Sequence, residues 1–170
     1  MIYQEKSVRY WEIIMAKPKF EARKATSIAF IEHKGGYGEV PWDDYMHKLY
    51  GWAKEQKVMP GFFPMAICYD DPSKVAAKNC RSDIAITFKG KAKATPGIKI
   101  RKMPAMKVAT LSHKGPGSEF ASSYAEPHDF MAEKGYKESG APIEIYSKKP
   151  EVVGGVTIIY AKIMIPVKKK

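Results

Sequence analysis

The sequence lacks the features that mark membrane-spanning, exported and disulfide-stabilised proteins. It has no run of about eighteen apolar residues, the length needed to cross a bilayer as a helix. The N-terminus has no short apolar core followed by a small-residue cleavage site. Its two cysteines, Cys68 and Cys80, are too few for a disulfide framework and lack CxxC spacing. These absences predict a cytoplasmic protein with reduced thiols.

Signatures of catalysis and of metal binding are missing as well. Residues 35–38 read Gly-Gly-Tyr-Gly before a predicted helix, but neither GxxxxGK[ST] nor GxGxxG is present, so the evidence for a phosphate site is weak. None of the four histidines has HxxH or HExxH spacing, and no nucleophile elbow or catalytic triad is visible. The sequence therefore predicts no metal and no cofactor.

Charge of one sign is abundant. The formal net charge is +11, from 29 Lys and Arg against 18 Asp and Glu, which suggests nucleic acid or another anionic surface as a partner. The lysines are scattered, apart from Lys148-Lys149 and the last three residues, and arginine, whose fork reads phosphates and bases, is scarce. A solubilising surface with non-specific, salt-dependent anion binding is therefore the favoured interpretation.

The chain contains an internal repeat. His33-Lys34-Gly35-Gly36 recurs as His113-Lys114-Gly115-Pro116, 80 positions later. Each copy continues with a helical segment, a Pro-led apolar strand (64–69 and 142–146) and a second apolar strand (83–88 and 160–165). A strand–helix–strand–strand unit used twice predicts an α+β fold of antiparallel sheets, with outer helices and a central ligand cleft between the repeats. We attribute the matching His33 and His113 to duplication, with a symmetric metal or catalytic pair as the alternative.

The predicted boundaries follow from this repeat. Residues 1–24 form an N-terminal arm with an edge strand over 10–15. Residues 25–167 form one domain of two repeats, 25–89 and 98–167, joined by a linker. Residues 168–170 form a basic tail. Apolar residues at helical spacing predict a first helix over 40–57. The second, over 119–134, contains Pro127, which predicts a break after Ala125 and a restart with the proline in the first turn. The final strand, from 156, is predicted to stop at Pro166.

The strand 142–146 marks where the two repeats differ. Side chains alternate along a strand, so Ile143 and Ile145 share one face, while Glu144 and Tyr146 share the other. The first repeat has two small residues, Ala66 and Cys68, in place of the acid and the aromatic. With the isoleucines packed under the helix, Glu144 and Tyr146 face the seam between the repeats.

A carboxylate in this position has three interpretations. It is a counter-ion for a cationic ligand, a general acid or base, or a structural group paired with a neighbour. Four aromatic residues, Tyr37, Trp42, Tyr69 and Tyr146, are candidate ligand contacts around it, together with the small Ala66 and Cys68. Helix core is the alternative for Trp42, and plain surface is the alternative for Tyr69.

An ordered series of short motifs runs from about residue 24 to residue 167. It comprises His33-Lys34-Gly35-Gly36-Tyr37, Leu49-Tyr50-Gly51-Trp52-Ala53, Cys68-Tyr69-Asp70-Asp71-Pro72, Arg81-Ser82-Asp83, Met103-Pro104-Ala105, His113-Lys114-Gly115, Pro142-Ile143-Glu144-Ile145-Tyr146 and Ile165-Pro166-Val167. This series resembles the GyrI-like small-molecule-binding family, which is similar to the effector-binding domains of AraC-type and MerR-type multidrug regulators.

The resemblance implies tandem SHS2-type modules with a ligand cleft, and a buried acid at Glu144 aimed at cationic or amphiphilic aromatic ligands. Some stand-alone relatives look like hydrolases of cyclopropane-containing genotoxic compounds, and others are named for protecting DNA gyrase from inhibitors. This chain departs from the family at Gly117-Ser118, where an aromatic often follows the glycine, and at Pro127.

We therefore favour a stand-alone protein that binds a small molecule, with Glu144 as charge partner and no membrane partner. One alternative is a hydrolase in which Glu144, the tentative catalytic residue, activates water. The other is a module that binds a protein such as gyrase through its basic surface.

Overall fold

The computed structural model describes residues 17–170, and the edge strand predicted over 10–15 lies outside this part of the chain. The chain forms two compact units. The N-terminal unit consists of Ala22–Met106 and Ala141–Ile145; the C-terminal unit consists of Lys107–Gly140 and Tyr146–Lys170, with residues 17–21. Within residues 17–170, no helix is long and apolar enough to span a bilayer.

Antiparallel strands form the sheet of the N-terminal unit. Their order is β9–β4–β5–β2–β6, and a short strand, β3, pairs with β5. These strands are β2 (Thr26–Lys34), β3 (Met59–Pro60), β4 (Met65–Cys68), β5 (Arg81–Lys89), β6 (Lys99–Met103) and β9 (Ile143–Val153), of which residues 143–145 belong to this unit.

Helix α1 (Trp42–Glu55) packs on one face of this sheet. Apolar residues at intervals of three and four face inward, and Leu49, Trp52 and Ala53 are buried against Ala29 and Ile86. Two aspartates in the first turn complement the positive end of the helix. The predicted first helix is confirmed, and it begins two residues later and ends two residues earlier than the predicted 40–57.

The C-terminal unit also combines antiparallel strands with a helix. Strand β1 (Lys19–Arg23) neighbours β7 (Met106–Pro116), β7 pairs with β10 (Val156–Lys169), and β10 neighbours β9 and pairs with β8 (Tyr136–Glu138). Helix α2 (Ala125–Glu133) follows two short 3-10 turns, Gly117–Glu119 and Ser122–Tyr124. Its core contains Ala109, Met131, Ile163, Ile165 and Val167.

The mixed α+β class and the antiparallel pairing are confirmed, and two details differ. Pro127 lies in the first turn of α2 as predicted, but the helix begins at Ala125, because the preceding residues form 3-10 turns instead of one long helix. Strand β10 does not stop at Pro166. It continues to Lys169, because Val167 and the residues after it pair with β8. The tandem duplication and the cleft between repeats stay predictions.

Candidate functional site

Glu144 lies near the start of β9, and its side chain belongs to the interior of the N-terminal unit. The residue is 7% exposed and lies directly opposite Ala66 of β4. The register is fixed on either side, since Ile143 pairs with Ile67 and the Cys68 N–H donates to the carbonyl of Pro142 at 3.0 Å. Opposite residues of an antiparallel pair project to the same face, so Glu144 shares a face with the methyl group of Ala66.

This face is the one that α1 covers, which corrects the sequence-based prediction. Ala66 is opposite Ile84 of β5, and Ile86, two residues further along the same strand, packs against α1. Side chains two residues apart on a strand project to the same face. Glu144 therefore lies on the helix side of the sheet, and the expected packing of the β9 isoleucines under a helix does not hold for α1. The position of the helices on the outside of a cleft between the repeats stays a prediction. The sequence showed alternation in each strand but not the register between strands.

Cys68 is the polar neighbour of Glu144. Burial raises the pKa of the Cys68 thiol, and the negative charge of Glu144, together with a hydrogen bond from the thiol to that carboxylate, raises this pKa further. The thiol is therefore protonated at neutral pH. It acts as a neutral donor to Glu144 and not as a nucleophile.

Tyr37 anchors the 3-10 turn Tyr37–Glu39 to the ends of β4 and β5. Its hydroxyl lies 2.7 Å from the Asp70 carbonyl and 3.1 Å from the Arg81 carbonyl, and accepts from the Asp70 N–H at 3.0 Å. Burial raises the pKa of Tyr37 to about 12, and the nearby thiol of Cys68 contributes to this shift. The Tyr37 hydroxyl is thus held by the backbone, and the role of the ring as a ligand contact stays a prediction.

Tyr69 lies on the opposite face from Glu144. Its hydroxyl donates to the buried carboxylate of Asp83 at 2.5 Å, and Arg101 bonds both groups at 2.8 Å. Asp83 is opposite Ile67 of β4, whose side chain projects away from Ala66 and Cys68. The structure therefore places Tyr69 in a separate polar cluster.

The remaining predicted aromatic contacts are half-buried. Trp42 is the first residue of α1 in the N-terminal unit, and Tyr146 belongs to the part of β9 in the C-terminal unit. Their role as ligand contacts stays a prediction.

Sequence reasoning missed a polar row beside Glu144. Cys68, Ser82 and His33 lie opposite one another on β4, β5 and β2, and the Nδ1 of His33 is 3.2 Å from the hydroxyl of Tyr45. Among residues 17–170, Ser82 Oγ and His33 Nε2 are buried without a hydrogen-bond partner. Alternation along β5 puts Ser82 on the same face as the apolar Ile84 and Ile86. That Ser82 lies between Cys68 and His33 follows only from the register between the strands.

Two surface hollows lie in the N-terminal unit. One, of about 600 Å³, is formed by α1 and the turn at residues 95–98; the other, of about 620 Å³, lies beside β3 and the end of β5. Glu144 lines neither of these two hollows. In the described part of the chain, no group of three or more His, Cys, Asp or Glu side chains is placed to hold a metal ion.

The family assignment rests on the whole sequence. The profile of the GyrI-like small molecule binding domain matches residues 16–168. The chain belongs to the GyrI-like family. The protein is 33% identical to DNA gyrase inhibitor 2 of Dickeya dadantii (strain 3937) over 104 residues, which cover 59% of this chain and 64% of that protein.

Solved structures share the fold of this GyrI-like chain. The C-terminal domain of EcmrR has a TM-score of 0.74 at 14% identity, covering 92% of this chain and 100% of the domain. SAV2435, solved with tetraphenylphosphonium bound, has a TM-score of 0.53 at 12% identity, covering 89% of this chain and 94% of that one.

Proposed function

We propose that this protein binds a small cationic molecule with an apolar body, and that the Glu144 carboxylate is its charge partner. The observation that carries the proposal is a carboxylate 7% exposed on a sheet face where small and apolar side chains surround a short polar row. A buried carboxylate costs stability unless charge or hydrogen bonds compensate for it. The Cys68 thiol donates one hydrogen bond to this carboxylate, and a cationic ligand would add an opposite charge to it.

The residues around Glu144 suit such a ligand. Ala66 and Cys68, the residues beside the carboxylate on β4, are both small, and the Cys68 thiol is neutral. The ring of Tyr37 supplies an aromatic surface near Cys68, and aromatic faces attract cations. The family description, small-molecule binding, and the tetraphenylphosphonium bound to SAV2435 support the same class of ligand.

The experiment is a calorimetric titration of the protein with tetraphenylphosphonium. Glu144→Gln preserves the shape and removes the charge, so we expect its affinity to fall about tenfold or more, which is a loss of about 1.4 kcal/mol. The matched control is Glu32→Gln, which removes an exposed acid from β2 of the same unit. Equal affinity in the wild type and Glu144→Gln would contradict the counter-ion role.

Inhibition of DNA gyrase is a second candidate, which the similarity to the Dickeya dadantii protein favours. It would be tested by a supercoiling assay with purified gyrase. We expect inhibition that weakens with salt, given the net charge of +11, and that survives Glu144→Gln. Absence of inhibition at low salt would exclude this role.

A further inference from the structure

An apolar tip projects from the N-terminal unit between α1 and β4. Met59 is 70% exposed, Phe62 is 92% exposed and Phe63 is 50% exposed, and the three lie within five consecutive residues. Single exposed apolar residues are ordinary on protein surfaces, but a cluster of large ones marks an interaction site.

The backbone that leads into this tip is hydrogen-bonded to β5 and to α1. Met59 and Pro60 pair with Lys89 and Phe88 as β3, and the hydroxyl of Tyr50 on α1 donates to the Gly61 carbonyl at 3.1 Å. The Gly61 N–H donates to the Thr87 carbonyl at 2.8 Å. The fold thus presents the two phenylalanines in a defined position.

Positive charge surrounds the apolar tip. The segments 57–63 and 87–93 together contain four exposed lysines and no acidic residue. Lys89 lies directly opposite Met59 and lines the hollow beside Phe62. A second copy of this chain would bring like charges together at this surface, so the surface fits an anionic partner better than itself.

From this combination we propose that the tip docks the protein onto the surface of a bilayer containing anionic phospholipids, with Phe62 and Phe63 inserted at the level of the headgroups. Phe62 borders the hollow beside β3, but 92% of its side chain is exposed, so its ring projects outward beyond that hollow. An aromatic ring in this position is available to insert into a partner. A bilayer offers both an apolar interior and a negative surface, and aromatic residues flanked by lysines match both. This inference does not depend on the ligand proposed for Glu144.

The test is co-sedimentation of the full chain with vesicles of phosphatidylcholine alone and of phosphatidylcholine with 30% phosphatidylglycerol, roughly the anionic content that gives a strong surface potential. We expect binding to the anionic vesicles only, weakened by salt. Phe62→Ser is expected to reduce the partition coefficient about tenfold, and Lys89→Glu by at least about fivefold. The matched control is Val152→Ser, which removes a side chain 73% exposed in the C-terminal unit and should bind as the wild type does.

Three results would overturn the proposal. One is no binding to anionic vesicles. Another is equal binding by Phe62→Ser and wild type, which would indicate attraction through net charge alone. The third is a protein that does not bind vesicles and whose Phe62 serves another contact. That contact would be dimer formation, or binding to polyglutamate, that is lost in Phe62→Ser. Glu144→Gln serves as an internal reference, because it tests the ligand proposal and is expected to leave vesicle binding unchanged.

Discussion

Cys68 should make this protein lose stability in alkaline solution, by an amount that can be worked out. In the unfolded chain a thiol titrates near pH 8.5, whereas in the folded protein burial and the charge of Glu144 raise the pKa of Cys68 well above its usual range. A group whose folded pKa is raised contributes stability below its unfolded pKa and loses it as the pH rises. Above about pH 8.5 the Cys68 thiol ionises in the unfolded state but stays protonated in the folded state. The free energy of unfolding therefore falls as the pH rises.

The expected loss from this single group is about 2 kcal/mol between pH 7 and pH 10, since each pH unit above the unfolded pKa removes about 1.4 kcal/mol. Other groups also titrate in this range, so the quantity to measure is the difference between wild type and Cys68→Ala. Urea unfolding followed by tryptophan fluorescence at both pH values supplies it. We expect Cys68→Ala to be the less stable protein at pH 7 and to recover about 2 kcal/mol relative to wild type at pH 10.

Leu49→Ala provides the control for this experiment. Leu49 lies on the inner face of α1, is fully buried and has no titratable group, so its truncation should cost about 3 kcal/mol at both pH values. If the difference between wild type and Cys68→Ala were the same at pH 7 and pH 10, within about 0.5 kcal/mol, the thiol would not be held protonated by its surroundings, and the proximity of Cys68 and Glu144 would be wrong.

Three further substitutions test the fold of the N-terminal unit by the same urea unfolding. Gly61→Ala would place a methyl group 2.1 Å from Thr87 Oγ1 and should destabilise by about 1–3 kcal/mol; an unchanged midpoint would contradict the position of this turn. Gly51→Ala, in the interior of α1 with no atom within 4 Å of the added carbon, should stabilise by about 0.5–1 kcal/mol, and a loss would refute the open surface there. Arg101→Ala leaves the Asp83 carboxylate with one partner fewer and should cost about 1–2 kcal/mol, whereas no cost would show that the pair contributes nothing.

Local patterns in the sequence predicted the elements well. Helix α1 follows from apolar residues at helical spacing, and the first-turn position of Pro127 follows from its missing N–H. The strands follow from alternation, which also placed Glu144 and Tyr146 on one face of their strand. These predictions succeed because each depends on residues close together in the chain.

The predictions that depended on pairing between distant strands did not identify the sheet face that α1 covers. The register of β4 against β5 and of β9 against β4 decides which side chains lie on the face covered by α1. The paired residues of β9 and β4 are far apart in the sequence, so no local sequence pattern predicts this register. The same register separates Tyr69 from Glu144 and assembles Cys68, Ser82 and His33. Alternation defines two faces of a strand, but only the neighbouring strand and the helix decide which of them is covered.

We propose that the polar groups on the sheet face covered by α1 serve ligand binding and not stability. Glu144, Ser82 and the ring of His33 project from a sheet face whose other residues build an apolar core, and the Ser82 hydroxyl has no hydrogen-bond partner among residues 17–170. Apolar side chains of similar volume at these positions would stabilise the fold at least as well. In contrast, a carboxylate that lies beside a neutral thiol and a small alanine side chain is suited to bind a cation. The hydrolase interpretation needs the same carboxylate together with turnover, so equal product formation by the wild type and Glu144→Ala would leave binding as the function of this site.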